Sequence, residues 1–122
     1  MSKPIVWIAL SLCLVSSVAA QSVQDATVAA PEAHQVVMEN DHVRVLRALA
    51  APGHKSPMHS HPPRVIISLG TARVRMTMGD GTVQYFDLYP GMVFWIDETE
   101  HSWELLAGEV NVVGVEVKAA KK

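Results

Sequence analysis

Cysteine is nearly missing from this sequence: the 122 residues contain one, Cys13, inside the N-terminal apolar stretch. A chain that begins at Gln21 would have no thiol, could form no disulfide in an oxidising compartment, and would have to hold any metal through nitrogen or oxygen. Basic runs are absent outside Lys118, Lys121 and Lys122, and the net charge is -2 with histidines neutral. Nucleic acid is therefore not an expected partner, because phosphate neutralisation needs a basic stripe; the terminal lysines read as a solvated end. After the N-terminal stretch no window shows an amphipathic helical period, and there is no internal repeat.

The first twenty residues have the three parts of a secretory signal: Lys3, the eleven-residue apolar stretch Ile5 to Val15, and the small residues Val18, Ala19 and Ala20 before Gln21. A spanning helix needs about 20 apolar residues, so a cleaved signal peptide over 1–20 fits better than a retained anchor. Leu12 before Cys13 argues against a lipoprotein. The expected product is exported, periplasmic or secreted, with no membrane attachment after cleavage and a net charge of -3 once Lys3 is lost. Residues 21–33, Ala-rich with Pro31, read as a flexible lead-in. Residues 34–118 form the domain and 119–122 a tail. With 49% hydrophobic and 18% charged residues, the chain can bury one core.

From His34 onward, short β-prone runs alternate with turn residues. Val74, Met76 and Met78 alternate with Arg73, Arg75 and Thr77, which predicts a half-buried strand over Ala72 to Met78. Gly79-Asp80-Gly81 then predicts a hairpin to a strand over Thr82 to Leu88. Further strands are expected at Gln35 to Met38, Val43 to Ala50, Val65 to Leu69, Met92 to Ile96, Ser102 to Leu106 and Val110 to Val117. Such a series of short antiparallel strands implies an all-β sandwich or jelly-roll barrel.

His59-Ser60-His61 is the most informative tripeptide. On an extended segment, positions i and i+2 share a face, so both imidazoles project together. Gly53, His59, His61 and Pro62, followed by Val65 to Leu69 and Gly70, resemble the first motif of the cupin superfamily. Asp87 to Ile96, containing Pro90-Gly91, and then His101 resemble the second. The resemblance covers Val43 to Val117. It implies a single-domain antiparallel jelly-roll β-barrel in which His59, His61 and His101 face inward around one divalent metal ion, with Fe, Mn, Ni, Zn and Cu not distinguished. The family commonly pairs through edge strands, which implies a homodimer.

The sequence departs from that pattern. The family's glutamate would fall at Val65 or Ile66, and no acidic residue occurs between His61 and Gly70. Both motifs are shorter than the family form, and Asp97, Glu98 and Thr99 replace a usual proline and glycine. Three neutral imidazoles leave the double charge of an ion uncompensated, which favours an anionic or chelating ligand. Arg64 either holds a substrate carboxylate or is a surface arginine before a strand, with the surface reading preferred. His54 either supports the ligands from a second layer or is a solvated loop residue.

Glu98 or Asp97 could swing in as a fourth donor, whereas Glu100 should face away from His101. His34 and His42 read as solvated. Phe94, Trp95, Trp103, Met76 and Met78 read as core, some lining a barrel mouth. Two functions remain open, a metal-dependent oxygenase or related enzyme acting on a small organic molecule, or a non-catalytic envelope module that binds a metal or small anion, beside a purely structural reading in which all three histidines are incidental. No catalytic acid or base is identifiable, and no organic cofactor is expected.

Overall fold

The structure, a computed structural model, describes residues 2–4 and 22–120. The expected signal segment falls almost wholly outside the described residues. The elements are one helical turn, α1 (Ala26–Ala29), and nine strands: β1 (His34–Glu39), β2 (Val43–Ala50), β3 (Lys55–His61), β4 (Arg64–Ser68), β5 (Ala72–Met78), β6 (Val83–Leu88), β7 (Val93–Ile96), β8 (Thr99–Gly108) and β9 (Val110–Val117). Strands β2, β5 and β9 have the bounds expected from sequence. The others differ at their ends, and β3 is a strand of its own.

All pairings between strands are antiparallel, in a five-stranded sheet ordered β1-β2-β9-β4-β7 and a four-stranded sheet ordered β3-β8-β5-β6. From β2 to β9 the chain repeatedly crosses between the sheets, the jelly-roll arrangement. The closed barrel implied by the resemblance is not found: among the described residues no ladder joins the two sheets, so both keep their edges. Between them lies an apolar core that includes Ile66, Val74, Leu88, Trp103, Leu105, Val110 and Val112. The β5–β6 hairpin turns at Gly81, whose φ of 87° suits a residue without a Cβ.

The lead-in expected to be flexible is tied to the domain from Gln24 onward. Asp25 caps α1 by accepting from Thr27 N at 3.0 Å, and Ala26, Ala30 and Ala33 are buried. Their small side chains let the turn lie close against the sheet. Gln24 O accepts from Ser60 N at 2.8 Å, and Asp25 forms a parallel bridge with Ser60. The segment thus covers the outer edge of β3, a sheet edge that would otherwise present unpaired backbone groups.

Candidate metal centre

Strand β3 sends His59 and His61 inward because of a local irregularity. Its register against β8 shifts between Ser56 and His59, so Ser56 is buried at one parity and His59 and His61 at the other. A bulge re-aims side chains in this way, and Pro57, which has no N–H to give to a ladder, sits within it. Across the ladder His101 pairs in register with His59, and alternation along β8 buries Thr99, His101, Trp103 and Leu105 together. Glu100 is exposed, as its parity requires.

The structure brings His59, His61 and His101 together. Ring centroids lie 4.9 Å apart for His59 and His61, 4.8 Å for His59 and His101, and 5.3 Å for His61 and His101. A fourth ring joins them. His34, expected to be solvated, is 6% exposed, with its centroid 4.7 Å from His59 and 5.3 Å from His61. Nitrogens of His34, His59 and His61 all lie within 4.8 Å of one another, the spacing of a three-ligand set. His101 lies outside that set of three but touches it through His59, Nε2 to Nε2.

A carbonyl partner on the far side of the ring fixes the tautomer of His59. His59 Nδ1 lies 2.7 Å from Pro57 O, an acceptor, so Nδ1 carries the proton and Nε2 is left with a lone pair. His101 Nδ1 lies 3.1 Å from Met76 Sδ, too weak an acceptor to fix the tautomer of that ring. His59 Nε2 and His101 Nε2 are 3.1 Å apart. That contact is satisfied in either of two ways: neutral His101 donates Nε2–H to His59 Nε2, or His101 carries its proton on Nδ1 and a cation stands between the two lone pairs.

A second proton on either ring, which would make it an imidazolium, is disfavoured. Burial first, and then neighbouring positive groups, lower His59 to about 4 and both His61 and His101 to about 2; backbone acceptance at Pro57 opposes this only partly for His59. Two nitrogens bound to one ion at about 2.0–2.1 Å would be separated by about 2.9 Å at a right angle and about 3.4 Å at the tetrahedral angle. The observed contact falls between those limits. His34 donates Nδ1–H to Ala30 O at 3.1 Å, which leaves its Nε2 available, and burial lowers its pKa as well. His61 Nδ1 is buried without a hydrogen-bond partner. The donor set therefore fits a divalent ion.

A carboxylate is also present, from a direction the motifs do not indicate. Glu116 on β9 is 1% exposed, with Oε2 3.9 Å from His61 Nδ1. Arg44 on β2 holds it, Nε to Oε1 at 3.1 Å and Nη2 to Oε1 and Oε2 at 2.9 and 3.0 Å, while Nη2 also reaches Asp25 Oδ2 at 2.6 Å. This partly buried chain of charges ties the N-terminal segment to the histidine cluster.

The remaining candidates are placed as follows. Arg64, preferred as a surface residue, is instead buried as the first residue of β4, because its parity is that of the inward Ile66 and Ser68. His54 lies 3.4 Å from Ser56 Oγ through Nε2, and its ring centroid is 5.0 Å from Trp103; among the described residues it does not contact the three histidines. Asp97 accepts from Trp95 Nε1 at 2.8 Å at the surface, and Glu98 is exposed, so neither enters the cluster. A cavity of about 100 Å³ opens beside the rings, bounded by His34, His61, His101 and Arg64 at its polar part and otherwise by apolar residues, Met76, Phe86, Phe94 and Trp103 among them.

Neither a family model nor a curated protein matches the sequence. Solved structures do. A cupin domain from Bordetella pertussis Tohama I is similar over 70% of this chain and 92% of its own, at 23% identity and a TM-score of 0.63. A cupin superfamily protein from Desulfitobacterium hafniense DCB-2 is similar over 70% of this chain and 76% of its own, at 16% identity and a TM-score of 0.53. An RmlC-like cupin family protein with a double-stranded β-helix fold, from Methanocaldococcus jannaschii, is similar over 69% and 77%, at 11% identity and a TM-score of 0.56. At these identities the likeness is one of fold.

Proposed function

On the premise that the chain has a cupin fold, we propose that it is a metal-dependent protein that binds a small organic molecule beside one divalent ion, with oxygenase-like turnover as its activity. The observation that carries the reading is the convergence of His34, His59 and His61, whose ligand nitrogens lie within 4.8 Å of one another in a buried cluster that His101 joins, its Nε2 3.1 Å from His59 Nε2. His59 and His61 would hold the ion, with His101 and His34 as the flanking donors. A bound divalent ion would supply Lewis acidity and positions open to small ligands.

The rest of the chemistry belongs to the chain. Burial keeps the imidazoles in their neutral, ligating form at physiological pH. Pro57 O holds the His59 ring proton away from the centre, and Glu116 Oε2 stands 3.9 Å from His61 Nδ1. The apolar walls of the cavity exclude water and receive the body of the small molecule. Export rests on the pattern of the first twenty residues; an N-terminal sequence beginning at Gln21 in an envelope fraction would support it, and a chain starting at Met1 would refute it.

A non-catalytic binding module is the second reading. It is favoured by the cavity lining, where the polar groups are three cluster histidines and Arg64, none of them an evident general acid or base. Oxygen consumption by protein loaded in turn with Fe, Mn, Ni, Zn and Cu, across a panel of small organic substrates, separates the two. Turnover that vanishes in His59→Ala supports the enzyme. Metal retention with no turnover across the panel supports the binder.

A further inference from the structure

The cavity beside the histidines has one formal positive charge in its wall, and that charge is poorly satisfied. Arg64 is 3% exposed. Among the described residues, its guanidinium makes one hydrogen bond, a long one of 3.5 Å from Nη1 to Pro62 O, and no carboxylate lies within ion-pair distance. Glu116 is its register partner on β9, but that carboxylate is held by Arg44.

A guanidinium has five N–H donors in a planar fork, and burying it without acceptors or an opposite charge is costly. Burial lowers its pKa to about 10, against the pull of Glu116, so it remains a cation at neutral pH. After burial, its charge is the largest influence on His61, and it also lowers His34, His59 and His101. Arg64 therefore faces the cluster as a group.

Gly114 on β9 makes room for this arrangement. A Cβ built there would lie 4.0 Å from Arg64 Cδ and 3.7 Å from Ile66 Cδ1, so the missing side chain leaves space where the arginine runs along the cavity. Apart from Arg64 and the three histidines, every lining residue is apolar. The volume, about 100 Å³, is somewhat below the roughly 150 Å³ of an engineered cavity that admits benzene.

We infer that Arg64 anchors a carboxylate, and that the ligand of this cavity is a small monocarboxylic acid with a short apolar body of the size of propionate or butyrate. The planar fork matches a carboxylate in two parallel hydrogen bonds. In the metal-free protein the apolar walls accept the hydrocarbon part and would leave a second carboxylate unpaired, which disfavours dicarboxylates there. Amines are excluded by the charge of Arg64 itself. The inference names the substrate class of the site proposed above and rests on that reading for its catalytic meaning, although binding of the acid does not require the ion.

The test is calorimetric titration of the purified protein with butyrate, butyramide, butylamine and succinate, with and without prior metal removal by a chelator. Butyrate should bind the chelated protein, and the other three should bind at least tenfold more weakly. Arg64→Met should abolish butyrate binding. Arg64→Lys should weaken it at least tenfold despite keeping the charge, because the fork is lost. Gly114→Ala, which narrows the cavity without a clash, should weaken butyrate more than acetate.

Equal affinity for butyrate and butyramide overturns the inference, and this comparison needs no variant to fold. Binding that depends wholly on metal and persists unchanged in Arg64→Lys places the carboxylate on the ion: the proposed function then stands and the inference falls. Conversely, Arg64-dependent butyrate binding by a protein that takes up no divalent ion when the ion is supplied sinks the metal reading and leaves the anion site standing.

Discussion

Acidifying the metal-free protein from pH 7.5 to pH 5 should cost it about 6 kcal/mol of folding stability. In the folded state burial lowers His59 to about 4 and His61 and His101 to about 2, whereas an unfolded histidine titrates near 6.5. Below pH 6.5 the unfolded chain takes up protons that the folded rings refuse. Stability therefore falls with falling pH, is fully present above 6.5, and continues to be lost down to the folded values. At about 1.4 kcal/mol per proton and pH unit, the interval from 6.5 to 5 costs about 2 kcal/mol per ring, or about 6 kcal/mol for three.

His34 shifts in the same direction and adds to the loss. Asp25 does not contribute in this interval: burial raises it, hydrogen bonds from Arg44 and Thr27 outweigh that and bring it to about 2, and its stabilisation is lost only below its unfolded value of 3.8. A domain of this size has about 5–15 kcal/mol in total, so unfolding should set in near pH 5. Urea titrations at pH 7.5, 6 and 5 in the presence of a chelator measure the effect, and His101→Gln should reduce the pH slope by about a third. A loss below about 1 kcal/mol would refute the claim that these rings are buried and neutral.

Glu116→Gln keeps an acceptor for Arg44 but removes the charge; it should destabilise by about 1–2 kcal/mol in urea titrations and weaken metal affinity about tenfold if Glu116 orients His61. Ala30→Leu should lower stability by about 1–3 kcal/mol through overpacking of a fully buried site, and should disturb His34, whose Nδ1–H bonds to Ala30 O; thermal melting and the histidine resonances of an NMR spectrum report the two effects. Gly114→Ala should raise stability by about 0.5 kcal/mol, because a strand-interior glycine is replaced with no close contact created, and a drop in melting temperature would show that the space is not available.

Much of this architecture can be read from alternation. Ala72 to Met78 places Val74 inward and Arg73 and Arg75 outward, and the structure has that pattern. The His-x-His spacing needs only an extended backbone, although the bulge that turns it inward has no signature beyond Pro57. His34 escapes such reading because 24 residues separate it from His59 and the contact depends on an alanine-rich turn that looks like linker. Glu116 escapes it for a different reason. In Val110 to Val117 both faces are rich in valine, so parity alone does not reveal that Val110, Val112, Gly114 and Glu116 form the inward row. Arg64 follows two prolines at the start of a strand, where exposure is the ordinary expectation; its burial depends on pairing with both β7 and β9.

The most direct measurement is elemental analysis of the protein, without a histidine tag, after dialysis against a mixture of divalent transition metals. Close to one ion per chain should remain with the unaltered protein, and His59→Ala and His61→Ala should each retain almost none, with His34→Ala and His101→Ala revealing which flanking ring completes the set. An unaltered protein that emerges without metal, or a His59→Ala variant that holds as much as its parent, would contradict the central claim.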